Sequence, residues 1–189
     1  MILSGSEIRN RVDVGEILIN PFVPENLNPN SYNYRLGEEY ALLPKEYSLG
    51  EGGLNRGSLK IPENGLLVRP GTVVLANTYE VIGSEHFVTS LMGRSSVGRL
   101  GLFVQISADL GNLGPAHKWT LEITSVQPVI IYPKMTIGQV SFWVPHGDVN
   151  SYAGNYVKFD SPQFCIDTNL ISGTREDDID WNRDRKRSA

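Results

Sequence analysis

The sequence has little of the chemistry that builds disulfide frameworks or structural metal centres. One cysteine, Cys165, stands among 189 residues. A single thiol cannot form a disulfide within the chain, and it cannot supply a multi-cysteine zinc site. The three histidines, His86, His117 and His146, are scattered without the spacing of metal ligands. We therefore expect no metal ligands in the protein and no zinc.

An excess of positive charge is missing, and so are long apolar runs. The 17 Lys and Arg residues against 21 Asp and Glu residues give a net charge of −4. We expect no duplex nucleic acid as a partner, because duplex binding depends on a basic surface that neutralises phosphates. No apolar run approaches the roughly 20 residues that span a bilayer. The first ten residues lack the basic and then apolar order of a signal peptide. These features predict a soluble, cytoplasmic protein without a membrane partner.

Three catalytic signatures are also missing. The sequence contains neither the G-x-S-x-G nucleophile elbow nor a G-x-G-x-x-G fingerprint after a strand. It also lacks the H-x-E and P-C-x-x-C pair of the zinc deaminases. These absences argue against a serine hydrolase of the α/β type, a dinucleotide-binding enzyme and a zinc-dependent deaminase.

What the sequence does contain is a series of short apolar runs separated by turn residues. The 19 glycines and 11 prolines are more than a helical bundle tolerates. From residue 66 onward the runs recur at intervals of roughly ten residues, as in β-sandwiches and barrels. The runs are Leu66–Val68, Val73–Ala76, His86–Leu91, Leu102–Ile106, Trp119–Ile123, Pro128–Tyr132 and Ile137–Val144. We predict one mainly β domain over residues 1–172, followed by a flexible charged tail at residues 173–189.

The first 40 residues combine a helix signal with a strand signal. Ser4 and Glu7 have the spacing of a capping box, which predicts a short N-terminal helix. Tyrosine and leucine alternate with Asn33 and Arg35 over residues 32–36, which predicts a half-buried strand.

The densest cluster of polar chemistry is the segment Gly93–Gly101. Arg94, Arg99 and the adjacent hydroxyls of Ser95 and Ser96 lie among three glycines. Glycines allow backbone amides to approach an anion, while arginine and serine donate hydrogen bonds to phosphate oxygens. A tight turn with surface arginines explains the same residues, and the pattern alone does not decide between the two.

Glu122 is the second candidate. It lies between Leu121 and Ile123 in a strand-like run, and alternation places it on the opposite face from both. A carboxylate on a strand is usually solvated. If it lies in a site, it is a candidate general acid or base.

Four motifs in this order resemble the dCTP deaminase branch of the trimeric dUTPase-like superfamily, over residues 1 to about 163. They are Ile19-Asn-Pro21 with Ser31-Tyr-Asn-Tyr-Arg-Leu-Gly37, Gly93-Arg-Ser-Ser-Val-Gly-Arg-Leu-Gly-Leu102, Leu121-Glu-Ile123 and Tyr132-Pro-Lys-Met-Thr-Ile-Gly-Gln-Val-Ser-Phe142. The resemblance implies a distorted jelly-roll or β-barrel of the dUTPase-like type with a short N-terminal helix.

The same resemblance implies hydrolytic deamination of a cytosine nucleotide without a metal ligand from the protein, with dCTP to dUTP and ammonia as the expected reaction. Glu122 would deprotonate the attacking water and return protons to the ring and the leaving ammonia. Ser95 and the backbone carbonyl of Ala108 would hold that water. Arg99 would orient Glu122 and stabilise developing charge.

For substrate binding, the resemblance implies phosphate contacts from Arg94, Ser95 and Ser96, with further contacts from Arg99. Thr120 would lie beside the sugar and base. Mg²⁺ would arrive on the nucleotide phosphates, and three identical subunits would close around a threefold axis as a homotrimer.

The sequence departs from the family pattern around the expected ligand. Asn112 stands where the family has an aspartate that accepts a hydrogen bond from the sugar. In the C-terminal arm, Tyr152 and Tyr156 are retained, but Asn155 and Phe159 replace a lysine and a glutamine. The nearby cation Lys158 is a further expected substrate contact.

These departures leave three functions open. The first is a deaminase, whose substrate differs in sugar or phosphate count if the departures have changed recognition. The second is a trimer that binds a nucleotide in a regulatory role without turning it over. The third is a bifunctional deaminase and dUTPase that forms dUMP.

Overall fold

The computed structural model describes residues 1–43, 57–152 and 160–165 of the chain. Helix in these residues comprises α1 (Gly5–Asp13), a 3-10 turn at Pro24–Asn26 and the single turn α2 (Ser95–Gly98). The strands are β1 (Leu18–Asn20), β2 (Leu27–Asn28), β3 (Ser31–Leu42), β4 (Leu59–Lys60), β5 (Leu66–Val68), β6 (Val74–Thr78), β7 (Val81–Ser84), β8 (Val88–Gly93), β9 (Leu102–Phe103), β10 (Gly114–His117), β11 (Thr120–Ser125), β12 (Val129–Ile131) and β13 (Thr136–Trp143). The prediction of a mainly β fold with a short N-terminal helix is confirmed.

The N-terminal helix begins as its sequence predicts. The Ser4 hydroxyl accepts a hydrogen bond from the Glu7 backbone N–H at 3.3 Å and so caps α1. Ile8 is fully buried and anchors the helix to the core. Gly15 follows the helix with φ +78°, a conformation that glycine adopts without steric cost.

The described strands form three sheets. The largest has the order β8-β13-β3-β6-β11-β9, with β2 and β4 attached to β3. A second sheet has the order β1-β7-β10, and the third pairs β12 with β5. In the largest sheet, β3 lies between β13 and β6, so its side chains contribute to the centre of the core.

The first half of β3 is more buried than its alternating sequence predicts. Tyr32, Tyr34 and Leu36 are fully buried, as expected for the apolar face. Asn33 is buried as well, so the prediction of a half-buried strand is wrong at this position. The reason is local: β2 folds back onto β3, and Asn28 Nδ2 donates to Asn33 Oδ1 at 2.9 Å.

Each predicted apolar run overlaps a strand, but two strands after residue 66 lie outside the runs. One is β7, in which Gly83 packs so closely on β10 that a Cβ would overlap Ala116. The other is β10, which begins at Gly114 and Pro115, in a segment whose glycines and proline predict a turn. Since β10 is an edge strand, it tolerates residues that weaken a central strand.

A tight contact on β13 determines where the candidate site forms. Gly138 pairs with Gly93 of β8, and a Cβ at Gly138 would overlap the ring of Tyr34. The Tyr34 hydroxyl donates to the carbonyl oxygen of Met92 at 3.3 Å, and burial raises the pKa of this hydroxyl, which keeps it a neutral donor. The glycine therefore lets β13 lie directly on Tyr34, with Gln139 beside the end of β8.

The described residues up to Gln163 belong to one compact unit, and Phe164 and Cys165 belong to a second one. The predicted boundary at residue 172 and the predicted tail at residues 173–189 lie outside the described residues, so both stay predictions. In the described part of the chain, no helix combines the length and the hydropathy needed to cross a bilayer.

Candidate active site

A cavity of about 350 Å³ lies where the end of β8 and α2 meet the segment that begins with β9. Its polar lining consists of Arg94, Ser95, Gln105 and Gln139, and its apolar lining includes Leu102, Phe103 and Val104. Guanidinium, hydroxyl and amide groups around one cavity suit an anionic ligand with several oxygen acceptors.

The α2 turn presents Arg94 and Ser95 to this cavity. Val97 is buried and anchors the turn to the core, whereas Ser95 and Ser96 are exposed. The backbone N–H groups of Gly98 and Arg99 donate to the carbonyl oxygens of Arg94 and Ser95 at 2.9 and 3.0 Å. The sequence pattern of Gly93–Gly101 allowed either a phosphate site or a tight turn. The structure shows one short helical turn whose polar side chains point outward.

The charges of Arg94 and Arg99 are not neutralised by neighbours in the described residues. None of the ion pairs in this part of the chain includes either guanidinium. Because an unpaired guanidinium binds carboxylate or phosphate oxygens strongly, Arg94 in the cavity lining is the main electrostatic attraction for an anion.

Glu122 lies on the strand next to the cavity wall. Leu121 and Ile123 are fully buried, while Glu122 is half-buried on the opposite face of β11, as its alternation predicts. In the β9–β11 ladder Phe103 pairs with Thr124, and paired residues share a face of the sheet. Glu122 therefore faces the same side as Phe103, which lines the cavity.

Two hydrogen bonds join the cavity wall to β11. The Glu122 backbone N–H donates to the carbonyl oxygen of Val104 at 3.1 Å, and Gln105 Nε2 donates to that of Thr120 at 3.3 Å. These contacts hold Glu122 beside the cavity, although Glu122 itself is not part of the cavity lining.

The other predicted catalytic groups do not line the cavity within one chain. Arg99 ends α2 and is exposed, and Ala108 is exposed in the loop after β9. That loop runs along β8, because Leu91 N–H donates to the Asp109 carbonyl and Gly111 N–H donates to the Thr89 carbonyl, both at 2.8 Å. The loop therefore passes near the strand that leads to Arg94.

The predicted sugar and arm contacts surround the same loop. Asn112 is exposed, and the next residue, Leu113, accepts a hydrogen bond from the Tyr152 backbone N–H at 2.7 Å. Thr120 is half-buried, and its hydroxyl accepts a hydrogen bond from the Gln163 backbone N–H at 3.3 Å. Tyr156 and Lys158 lie outside the described residues.

Two cavity residues, Gln105 and Gln139, are absent from the predicted site. Gln105 belongs to no motif that the sequence offers. Gln139 ends the Ile-Gly-Gln segment of the fourth motif, to which the resemblance assigns no binding role. That motif was the available signal for Gln139.

The described residues contain no group of three or more His, Cys, Asp or Glu side chains that could hold a metal ion. The expectation that the protein supplies no metal ligand stays a prediction.

The comparisons with known proteins agree with the resemblance. The family model described as dCTP deaminase-like matches residues 2–144. A protein of Hathewaya histolytica named dCTP deaminase, dUMP-forming, is 44% identical over 157 residues, which are 82% of this chain and 91% of that protein. A dCTP deaminase of Rhodopirellula baltica is 45% identical over 149 residues, which are 78% of this chain and 74% of that protein.

Among solved structures, the 2′-deoxycytidine 5′-triphosphate deaminase of Agrobacterium tumefaciens matches 79% of this chain with a TM-score of 0.59 and 22% identity. This chain spans 50% of the length of that protein. The similarity shows a shared fold, which agrees with the fold that the motifs predict.

Proposed function

The chain belongs to the dCTP deaminase-like family, and we propose that it catalyses the hydrolytic deamination of dCTP to dUTP and ammonia. The observation that carries the proposal is the placement of Glu122 on the open face of β11, beside a cavity lined by Arg94 and Ser95. A general base next to a phosphate-binding cavity is what this reaction requires.

Glu122 acts as the proton carrier in the proposed reaction. Its carboxylate takes a proton from water as the water oxygen bonds to C4 of cytosine. The proton is passed to the ring nitrogen N3, and a second proton moves from the new C4 hydroxyl through Glu122 to the amino group. The C4–N bond then breaks, ammonia leaves, and the uracil carbonyl forms.

Positioning of the water has to supply the rest of the rate. A general base accelerates a reaction by roughly 10²–10⁴-fold, whereas enzymes typically reach a total acceleration of about 10⁶-fold or more. In the proposal, the Ser95 hydroxyl and the Ala108 carbonyl hold the water, and Arg99 stabilises the developing charge. Fixed geometry of this kind reduces the entropic part of the barrier.

The phosphates of the nucleotide bind at α2 in this proposal. Arg94 and Ser95 line the cavity, and Ser96 lies next to them on the exposed side of the turn. Gln139 adds an amide from β13. Asn112 and Thr120 remain the proposed contacts to the sugar and base. Tyr152, Tyr156 and Lys158 remain the proposed substrate contacts from the C-terminal arm.

We propose that Mg²⁺ reaches the site as part of the substrate, bound to the nucleotide phosphates. The polar lining of the cavity consists of a guanidinium, a hydroxyl and two amides. The described lining holds a positive guanidinium and no carboxylate, so it fits phosphate oxygens better than a free divalent cation.

A homotrimer completes the site in the proposal, because Arg99 and Ala108 do not line the cavity of their own chain. Large apolar side chains are exposed close to these residues, and burial between subunits would remove them from water. They are Leu100 (49% exposed), Phe103 (49%), Ile106 (54%) and Leu110 (69%). Light scattering of the purified protein is expected to give about three times the chain mass of 21.0 kDa. A monomer in solution would contradict the shared site.

A second candidate is a deaminase that continues to dUMP. The name of the Hathewaya histolytica relative favours it, because that protein, at 44% identity, is named dUMP-forming. Asn112 weighs against it, because hydrolysis at the phosphates needs a group that takes a proton from water, and an amide cannot do this as a carboxylate can.

The experiment is a product assay on the purified protein with dCTP, CTP, dCMP and CMP in parallel and Mg²⁺ present. Ammonia with dUTP supports the first candidate. Ammonia with dUMP and pyrophosphate supports the second. A nucleotide that binds without releasing ammonia supports a non-catalytic binding protein and overturns both. The ratio of activity with dCTP to activity with CTP measures how the site, with Asn112 in the loop, discriminates between the two sugars.

Localisation in the cytoplasm stays a prediction.

Arg94→Ala is expected to raise KM for the nucleotide roughly tenfold to a hundredfold, because charge-assisted hydrogen bonds contribute about 1.5–3 kcal/mol. The kcat should change little, since the phosphates lie away from C4. Arg69→Ala is the matched control, because Arg69 is exposed and outside the cavity lining. Steady-state kinetics on both variants checks the expectation, and an unchanged KM in Arg94→Ala would remove Arg94 from the phosphate site.

A further inference from the structure

The side chain of Gln139 is held from behind by a buried serine. Ser31 is 5% exposed at the start of β3, and its Oγ donates to Gln139 Oε1 at 3.0 Å. β13 pairs with β3, so this contact crosses between two neighbouring strands. Gln139 itself lines the cavity.

An amide pair behind Ser31 directs the serine proton. Asn28 Nδ2 donates to Ser31 Oγ at 3.3 Å, so the hydroxyl acts as an acceptor on that side. Asn28 is in turn paired with Asn33 through two hydrogen bonds of 2.9 and 3.4 Å. A serine hydroxyl has one proton, and the proton of Ser31 is directed at Gln139 Oε1.

This arrangement decides which end of the Gln139 amide serves the cavity. Oε1 accepts the hydrogen bond from Ser31, while Nε2 makes no hydrogen bond to the residues that the structure describes. In the reverse orientation, Ser31 would receive two N–H donors, and its own buried proton would lack its acceptor. The orientation with Oε1 toward Ser31 therefore leaves two N–H donors on the cavity side.

We propose that Ser31 is a positioning residue that fixes the Gln139 amide so that its N–H donors meet a phosphate oxygen of the nucleotide. The inference rests on the proposed function, because it needs a phosphate in the cavity. It also gives two residues of the first motif a role: Ser31 and Asn33, together with Asn28, prepare a binding group that lies 108 residues after Ser31.

A double-mutant cycle tests the proposal. Gln139→Ala is expected to raise KM about tenfold through the loss of a charge-assisted hydrogen bond. Ser31→Ala is expected to raise KM about fivefold without lowering kcat, because the amide regains rotational freedom and can turn its oxygen toward the phosphate. In the Gln139→Ala background, Ser31→Ala is expected to change KM no further.

Ser125→Ala provides the matched control. Ser125 is also 5% exposed, and its hydroxyl donates to the Val68 carbonyl at 3.3 Å. Its loss should lower the melting temperature as Ser31→Ala does, but leave KM unchanged. An unchanged KM in Ser31→Ala, or the same rise in both backgrounds, would overturn the proposal.

The wild-type protein separates this inference from the proposed function. If it deaminates none of the offered nucleotides, the proposed reaction fails, and the same cycle is measured as Kd for dCTP by calorimetry. Coupling between Ser31 and Gln139 in Kd supports the inference even then, and additive effects overturn it. A wild type that neither turns over nor binds a nucleotide overturns both.

Discussion

Glu122→Gln is expected to abolish deamination while the protein stays folded and continues to bind nucleotide. Glutamine has nearly the shape of glutamate, but its amide cannot accept the proton of the attacking water or return it to the leaving ammonia. Loss of a general base costs roughly 10²–10⁴ in rate, and here one group serves as base and acid in turn, so the upper part of that range is expected for kcat.

The fold should tolerate this change because of where Glu122 lies. Its side chain is half-buried on the open face of β11, and its backbone hydrogen bond to Val104 does not depend on the side chain. Ammonia release measures kcat, while circular dichroism and a thermal melt measure the fold. Glu63→Gln is the matched control, because Glu63 is exposed in the segment between β4 and β5. Substantial turnover by folded Glu122→Gln would assign the proton transfer to another group.

Local signals predicted the elements whose stability is local. The cap of α1 joins the Ser4 hydroxyl to the backbone N–H of Glu7, three residues later, so a short window of sequence contains the whole interaction. The apolar runs predicted strands for a similar reason, since alternation reports which face of β11 packs on the core. Glu122 could be placed on the open face by this argument alone.

Pairing of one strand with another explains the misses. β10 exists because it pairs with β7, and its glycine and proline predict a turn when they are read alone. Asn33 is buried because Asn28 satisfies its amide, a contact that depends on how β2 folds back. Neither partner is visible in the composition of the segment itself.

The candidate site shows the same division. Arg94 and Ser95 were predicted because their cluster is continuous in sequence, and both line the cavity. Gln139 was missed because it reaches the cavity through the β13–β8 ladder, in which it pairs with Met92, a residue of a different part of the sequence. The four motifs predicted the family correctly, but a motif does not say whether each residue serves the fold, the substrate or another side chain.

Arg35 is a motif residue that serves another side chain, Glu80. A substitution of Glu80 is expected to have a large effect on the free energy of unfolding. Arg35 belongs to the first motif, yet it contacts Glu80 rather than the cavity. The Glu80 side chain is fully buried and accepts from Arg35 Nε at 2.6 Å and from the Arg35 backbone N–H at 2.9 Å. The guanidinium also stacks on Tyr79 at 4.6 Å. One carboxylate thus ties β3 to the turn between β6 and β7.

Glu80→Gln is expected to lower the free energy of unfolding by about 3 kcal/mol, because it leaves the guanidinium without its counter-charge. Loss of one partner of a buried ion pair usually costs about 3–5 kcal/mol. The lower end is expected here, because the Arg35 side chain is 23% exposed and water can partly solvate its charge. For a chain of this length the melting temperature should fall by roughly 6–12 °C. Differential scanning calorimetry measures the change. The exposed pair of Glu38 and Lys134 is the control, and Glu38→Gln should shift the melting temperature far less.

The double variant Arg35→Met with Glu80→Gln separates charge from packing. Methionine retains an apolar stem beside Tyr79, and the glutamine carbonyl can still accept the hydrogen bond from the backbone N–H of residue 35. With both charges removed, no buried ion lacks a partner, so the double variant should be more stable than Glu80→Gln alone. A double variant that melts below the single one would mean that Arg35 stabilises the fold through its stacking on Tyr79 and not through the carboxylate. In that case the contribution of Arg35 to stability comes mainly from its planar guanidinium on the Tyr79 ring.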